Sequence, residues 1–148
     1  MSASSPTQTP GTPRIRILLA DGTQLVGNDY REALDNLHFV EIVGLAKTSE
    51  EALNLFFQRK PDVVVVSIIL PKLDGMEVLR CINRASSDCA VILLSHAPNA
   101  FLEQAATLLG AAGLCSAHEG VAKLRRLLYG CWCNKFGGGV QGQDGGGI

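Results

Sequence analysis

The sequence predicts an α/β domain with a doubly wound parallel sheet of five strands, in the order βαβαβαβαβα. Three observations carry this expectation. Five short runs rich in Val, Ile and Leu alternate with segments whose apolar residues recur at helical spacing. The central run, Val63-Val64-Val65-Val66, is continuous rather than alternating, which is the pattern of a strand covered on both faces. The connections are short and carry turn residues, implying right-handed crossovers between parallel neighbours.

Each element can be justified in turn. Arg14 to Ala20 is a buried strand that ends at the turn pair Asp21-Gly22. Apolar residues at Leu25, Val26, Tyr30, Ala33, Leu34 and Leu37 predict the first helix. Val40 to Ala46 is the second strand. Thr48 is a candidate N-cap, and Glu51 three residues later completes a capping-box pattern. Ala52, Leu53, Leu55, Phe56 and Phe57 supply the expected buried face of that second helix. Pro61-Asp62 stops it, and the third strand leads from Val63 into Ser67-Ile68-Ile69-Leu70. Pro71 to Gly75 is a loop. Met76 to Ala85 is a helix with Val78, Leu79 and Ile82 inward. Ala90 to Leu94 is a strand ending at Ser95, Asn99 to Leu109 a helix, Gly113 to Cys115 a short strand and Glu119 to Tyr129 the last helix. In such a sheet, function gathers at the carboxyl ends of the strands.

Composition bounds the function classes. The 148 residues are 47% hydrophobic and 18% charged, too apolar for a disordered chain. A formal net charge of −1 gives no electrostatic case for nucleic-acid or membrane-surface binding. No apolar run approaches the roughly 18 residues of a membrane span. Seven of the 16 glycines lie between Gly137 and Ile148, and three of the six prolines lie in the first 13 residues. Residues 1–13 and 130–148 therefore read as flexible extensions around a domain at 14–129. The first 13 residues lack a basic stretch followed by an apolar one, so no secretory signal is expected. Cys81, Cys89 and Cys115 sit in apolar patterns and are expected to be small buried hydrophobes. Cys131 and Cys133 form a C-x-C with no second ligand pair nearby, so no metal site is expected. This cysteine usage fits a reducing cytoplasm.

Several segments together carry a family resemblance. Ile-Leu-Leu-Ala-Asp at 17–21 is one. Glu51-Ala52-Leu53 with Lys60-Pro61-Asp62 and the valine run is another. Pro71-Lys72-Leu73-Asp74-Gly75-Met76 and Gly110-Ala111-Ala112-Gly113 complete the set. From Arg14 to about Tyr129 the chain resembles the receiver domain of two-component response regulators. Leu25-Val26 is most similar to receivers that usually precede a helix-turn-helix output domain. The resemblance implies a flavodoxin-like, receiver-type (βα)5 fold. It also implies phosphoryl transfer from a histidine kinase to an aspartate at the end of the third strand, assisted by Mg²⁺. An acidic pair after the first strand, a Ser/Thr after the fourth, and an aromatic and a lysine on and after the fifth complete the family's site.

Mapped onto this sequence, those positions are largely replaced. The phosphoacceptor position is Ser67, and the acidic pair is Asp21 with Gly22. The lysine position is Ala117 and the switch aromatic is Leu114. Only the hydroxyl position survives, as Ser95, beside His96. One carboxylate is a poor set for Mg²⁺, which prefers several hard oxygens. A serine without a general base, with alanine in place of the lysine, lacks the charge stabilisation that the transfer needs. The expectation is a pseudo-receiver: not an enzyme, without cofactor or Mg²⁺, acting by protein contact. Asp74 is expected to be structural.

The fourth helix, with one charge between Phe101 and Leu109, suggests a protein partner or homodimer face running to the fifth helix. Leu102, Ala105 and Leu108 are its candidate residues. Lys123, Arg125 and Arg126 read as a solvated face. Three rivals stand beside this reading. A phosphate-responsive receiver would use Ser67 or the residual site residues. A truncated DNA-binding regulator would lack its output domain, since the residues after Tyr129 are too few for a helix-turn-helix. A flavin binder on the same topology would need a phosphate cradle where Asp21-Gly22-Thr23-Gln24 stands.

Overall fold

The computed structural model describes residues 13–21, 27–69, 74–86, 88–95, 97–116 and 121–137. Strands β1 (Ile15–Ala20), β2 (Val40–Ala46), β3 (Val63–Ser67), β4 (Ala90–Ser95) and β5 (Gly113–Ser116) alternate with five helices. These are α1 (Gly27–Asp35), α2 (Ser49–Arg59), α3 (Gly75–Ala85), α4 (Ala100–Leu108) and α5 (Ala122–Trp132). All strands are parallel, in the order β2-β1-β3-β4-β5. This is the doubly wound, flavodoxin-like sheet that the sequence predicts. The start of the first predicted helix, at Leu25 and Val26, lies outside the described residues.

Two apolar layers hold the sheet. Leu18, Ala20, Val64, Val66, Val91 and Leu93 meet α2, α3 and α4 through Ala52, Phe56, Val78, Leu79, Ile82 and Ala106. Ile17, Leu19, Val63, Val65, Ile92 and Leu94 point the other way and meet Leu34, Leu124 and Leu128 of α1 and α5. All four valines of β3 are wholly buried. The uninterrupted run is thus explained by helices on both faces.

Local chemistry sets the helix starts. The Thr48 hydroxyl accepts from the Glu51 amide at 3.1 Å, and a Glu51 carboxylate oxygen accepts from the Lys47 amide at 2.7 Å. Asp74 caps α3 by accepting from the Glu77 amide at 3.0 Å, which is the structural role expected of it. Asn99 caps α4 in the same way at 2.8 Å. Gly75 is buried where α3 meets the end of β3, and a Cβ there would overlap the Ser67 carbonyl. The close approach of α3 to the Ser67 end of the sheet therefore needs glycine.

Two expectations are corrected. Phe57 is not part of the buried face of α2; it is 58% exposed, whereas Phe56 is buried. The buried stripe runs through Ala52 and Phe56, one turn apart, and Phe57 lies about 100° further round the helix. The last helix does not stop at Tyr129. It runs to Trp132 and continues as a π-helical turn, Cys133–Gly137. The reason is an aromatic seam: Tyr129 stacks on Trp132 at 5.8 Å, Phe39 meets both edge-on, and Phe136 follows at 6.0 Å. Trp132 Nε1 also donates to the Pro13 carbonyl at 3.1 Å. Residues 130–137 are therefore helical rather than a free tail, with Cys131, Trp132 and Phe136 packed against the α1–α5 core layer.

Candidate functional site

The carboxyl ends of β1, β3, β4 and β5 meet along one edge of the sheet. Parallel register fixes their mutual placement. Ala20 pairs with Val66, so the next residues, Asp21 and Ser67, flank each other at the ends of β1 and β3. Ser67 is opposite Leu94 and Ser95 is opposite Ser116. The result is a row of three buried hydroxyls, with Ser67 2%, Ser95 9% and Ser116 7% exposed. Pleating puts Ser95 and Ser116 on the α4 side of the sheet and Ser67 on the α1–α5 side.

Ser95 Oγ accepts from the Ala97 amide at 3.1 Å, so the hydroxyl shapes the chain as it leaves β4. The Ile68 amide donates to the Leu94 carbonyl at 2.9 Å, and the Gly75 amide to the Ile68 carbonyl at 2.8 Å. These bonds clamp the backbone directly after Ser67 between β4 and α3. Asp21 is anchored through its amide to the Ala46 carbonyl at 3.0 Å. Its carboxylate is the acidic group at this edge among the described strand ends.

Leu114 is 4% exposed and packs in the core layer beneath α4 with Leu93 and Ala106. A hydrocarbon side chain there has no polar tip to draw it outward. Gly22, His96 and Ala117 lie outside the described residues. Among the described residues, no three His, Cys, Asp or Glu side chains come together in a way that could hold a metal ion.

Of the candidate interface residues, Leu108 is 83% exposed. Leu102 is half-buried and packs against the core, and Ala105 is half-buried. Sequence reasoning did not single out Phe101, which is 80% exposed and two turns before Leu108 on the same side of α4. The signal was available as an i, i+7 apolar pair lying off the Leu102–Ala106 stripe. A groove of about 660 Å³ runs beside Leu108 between α4, β5 and α5, past Gly113 and Leu127. Glu103 of α4 pairs with Lys123 of α5 at 3.8 Å along it. No described helix is long and apolar enough to cross a membrane.

The sheet order and the two apolar layers define a receiver-type α/β fold. The family model for the response regulator receiver domain matches residues 17–128, and the chain belongs to that family. The response regulator MprA of Mycobacterium sp. (strain KMS) is 35% identical over 82 residues, 55% of this chain and 34% of its own length. A protein-glutamate methylesterase/protein-glutamine glutaminase of Trichodesmium erythraeum (strain IMS101) is 30% identical over 83 residues, 56% of this chain and 24% of its own. The match thus spans about a quarter to a third of these curated relatives. Among solved structures, the receiver domain of the response regulator NarL from Mycobacterium tuberculosis superposes with a TM-score of 0.75 at 23% identity, covering 81% of this chain and 97% of that one. The response regulator domain of Thermotoga maritima CheB gives 0.72 at 25% identity, covering 80% and 96%.

Proposed function

We propose that this chain is a degenerate receiver that regulates a protein partner by contact and does not take a phosphoryl group at the family position. The carrying observation is Ser67, a neutral hydroxyl 2% exposed at the end of β3, where the family resemblance places the acceptor aspartate. Asp21 alone cannot supply the several anionic oxygens that Mg²⁺ favours, so the donor set does not fit the metal. A hydroxyl buried within a strand is also poorly presented to a kinase. The reading assigns no enzymatic step to this chain and places it in the cytoplasm, a reducing compartment that suits its odd count of five cysteines.

The contact surface in this reading is the α4–β5–α5 face, with Leu108 and Phe101 as apolar anchors. A second copy or a protein partner would cover them. Incubation with acetyl phosphate and Mg²⁺ should leave both mass and oligomeric state unchanged. A labile adduct with the mass of one phosphoryl group would overturn the proposal. Ser67→Ala should leave signalling output intact; loss of output would favour the phosphate-responsive rival.

A further inference from the structure

The opposite pole of the sheet carries a second concavity. A cavity of about 340 Å³ opens where the end of α2 and the start of β3 face the turn between α3 and β4. One wall is aromatic: Phe56 is buried, and Phe57 stands edge-on to it at 5.0 Å and remains 58% exposed. More than half of this large ring is open to solvent, so a ligand in the cavity can reach it. The volume lies at the lower end of the range for small-molecule sites, enough for a ring with a short charged head but not for a dinucleotide.

The charges around this cavity are balanced. Lys135 Nζ is held by Asp62 Oδ1 at 2.7 Å, and Asp62 Oδ2 accepts from the Arg16 amide at 2.8 Å. That pair is satisfied internally. Lys60 and Asp88 remain on the lining, one charge of each sign. Both backbones are fixed. Lys60 closes α2 in the left-handed conformation at φ 50°, and the Asp88 amide donates to Ser86 Oγ at 3.3 Å. Cys89 on the floor stays a neutral thiol, because burial pushes it up to about 12. The wall formed by Lys135 comes from beyond residue 128, where the family match ends. The complete cavity is thus a feature of this chain rather than of the matched receiver segment.

We propose that this cavity binds a small aromatic zwitterion, a ring bearing one ammonium and one carboxylate as in a free aromatic amino acid. The ring lies against Phe57, the carboxylate faces Lys60 and the ammonium faces Asp88. The site is independent of the Ser67 edge.

An NMR titration of the ¹⁵N-labelled protein tests this with three probes: L-tryptophan, indole-3-propionate without the ammonium, and tryptamine without the carboxylate. L-tryptophan should shift the amides of Phe56, Phe57, Lys60, Asp62, Ala85, Ser86, Asp88 and Cys89 and saturate in the millimolar range. Each singly charged probe should bind about tenfold more weakly, the equivalent of about 1.4 kcal/mol. Phe57→Ala, at an exposed position that leaves the fold intact, should weaken L-tryptophan by a similar factor, with its own spectrum reporting folding. Absence of shifts at about 20 mM, well above the millimolar range set by a ~4 kcal/mol interaction, would overturn the proposal. So would equal binding of all three probes, or shifts confined to another surface.

Discussion

Lys135 Nζ lies 2.7 Å from Asp62 Oδ1, joining the turn after α5 to the entrance of β3 across 73 residues of chain. The two partners do not contribute equally. Lys135 is 48% exposed and Asp62 only 16%. The second oxygen of Asp62 also accepts from the Arg16 amide at the start of β1. Lys135→Met should therefore cost only about 0.2–1 kcal/mol, as for a solvent-screened pair. Asp62→Ala also orphans a part-buried amide and should cost about 1–3 kcal/mol. Urea unfolding of the two variants measures the difference, and equal losses would contradict this division of roles.

The same pole holds a pH-sensitive group. Cys89 is pushed from its ordinary 9.0 up to about 12, first by burial, then by the nearby Asp62 and Cys131. The folded state therefore holds the thiol proton more tightly than the unfolded chain does. That contribution is fully present below pH 9 and is lost as pH rises toward 12. Unfolding curves taken across this window should show a steeper alkaline loss for the natural chain than for Cys89→Ala. Parallel curves for the two would remove the thiol as the cause.

On α4, exposure separates contact from stability. Leu108→Glu and Phe101→Glu replace side chains 83% and 80% exposed and should change folding stability by less than about 0.5 kcal/mol. Leu102→Glu places a charge against the core layer and should destabilise by about 3 kcal/mol or more. Thermal melts distinguish the two classes. Size-exclusion chromatography or partner capture should then respond to the first pair alone. If Leu108→Glu and Phe101→Glu unfold the protein, the face is structural and the contact role fails.

Much of this molecule was legible in the sequence, for identifiable physical reasons. Apolar period separates Val63–Val66 from Val78–Ile82 without ambiguity, because one pattern needs two covered faces and the other needs one. Thr48 and Glu51 announced the start of α2 through local hydrogen bonding alone. What could not be read depends on distant partners. The continuation of α5 past Tyr129 rests on Phe39 and Pro13, residues far away in the chain. The seven glycines between Gly137 and Ile148 argued locally for a tail. Likewise, Phe57 and Phe56 are chemically identical neighbours, and only the helix rotation against β3 and α3 decides which is buried. At the site, strand ends placed Ser67 and Ser95 correctly on the sheet edge. The pleat that puts them on opposite faces emerges only from the register.

The degenerate edge itself can be tested by returning a carboxylate to it. Ser67→Asp installs the acceptor type of the family at a position 2% exposed, beside Asp21. Two carboxylates would then share a site with no cationic side chain at the family's lysine position, which is Ala117. Like-charge repulsion and desolvation both favour the protonated acid, so the new group should titrate above the usual carboxylate range. The substitution should destabilise by about 3 kcal/mol at neutral pH and less in mild acid, where the group is neutral. A protonated carboxyl is a poor nucleophile, and nothing compensates the charge developing on the transferred group. Ser67→Asp alone should therefore still fail to form a phosphoryl adduct with acetyl phosphate and Mg²⁺. Intact-mass measurement decides the point: a labile adduct on this variant would show that Ser67 was the only missing part and that the rest of the edge retains receiver chemistry.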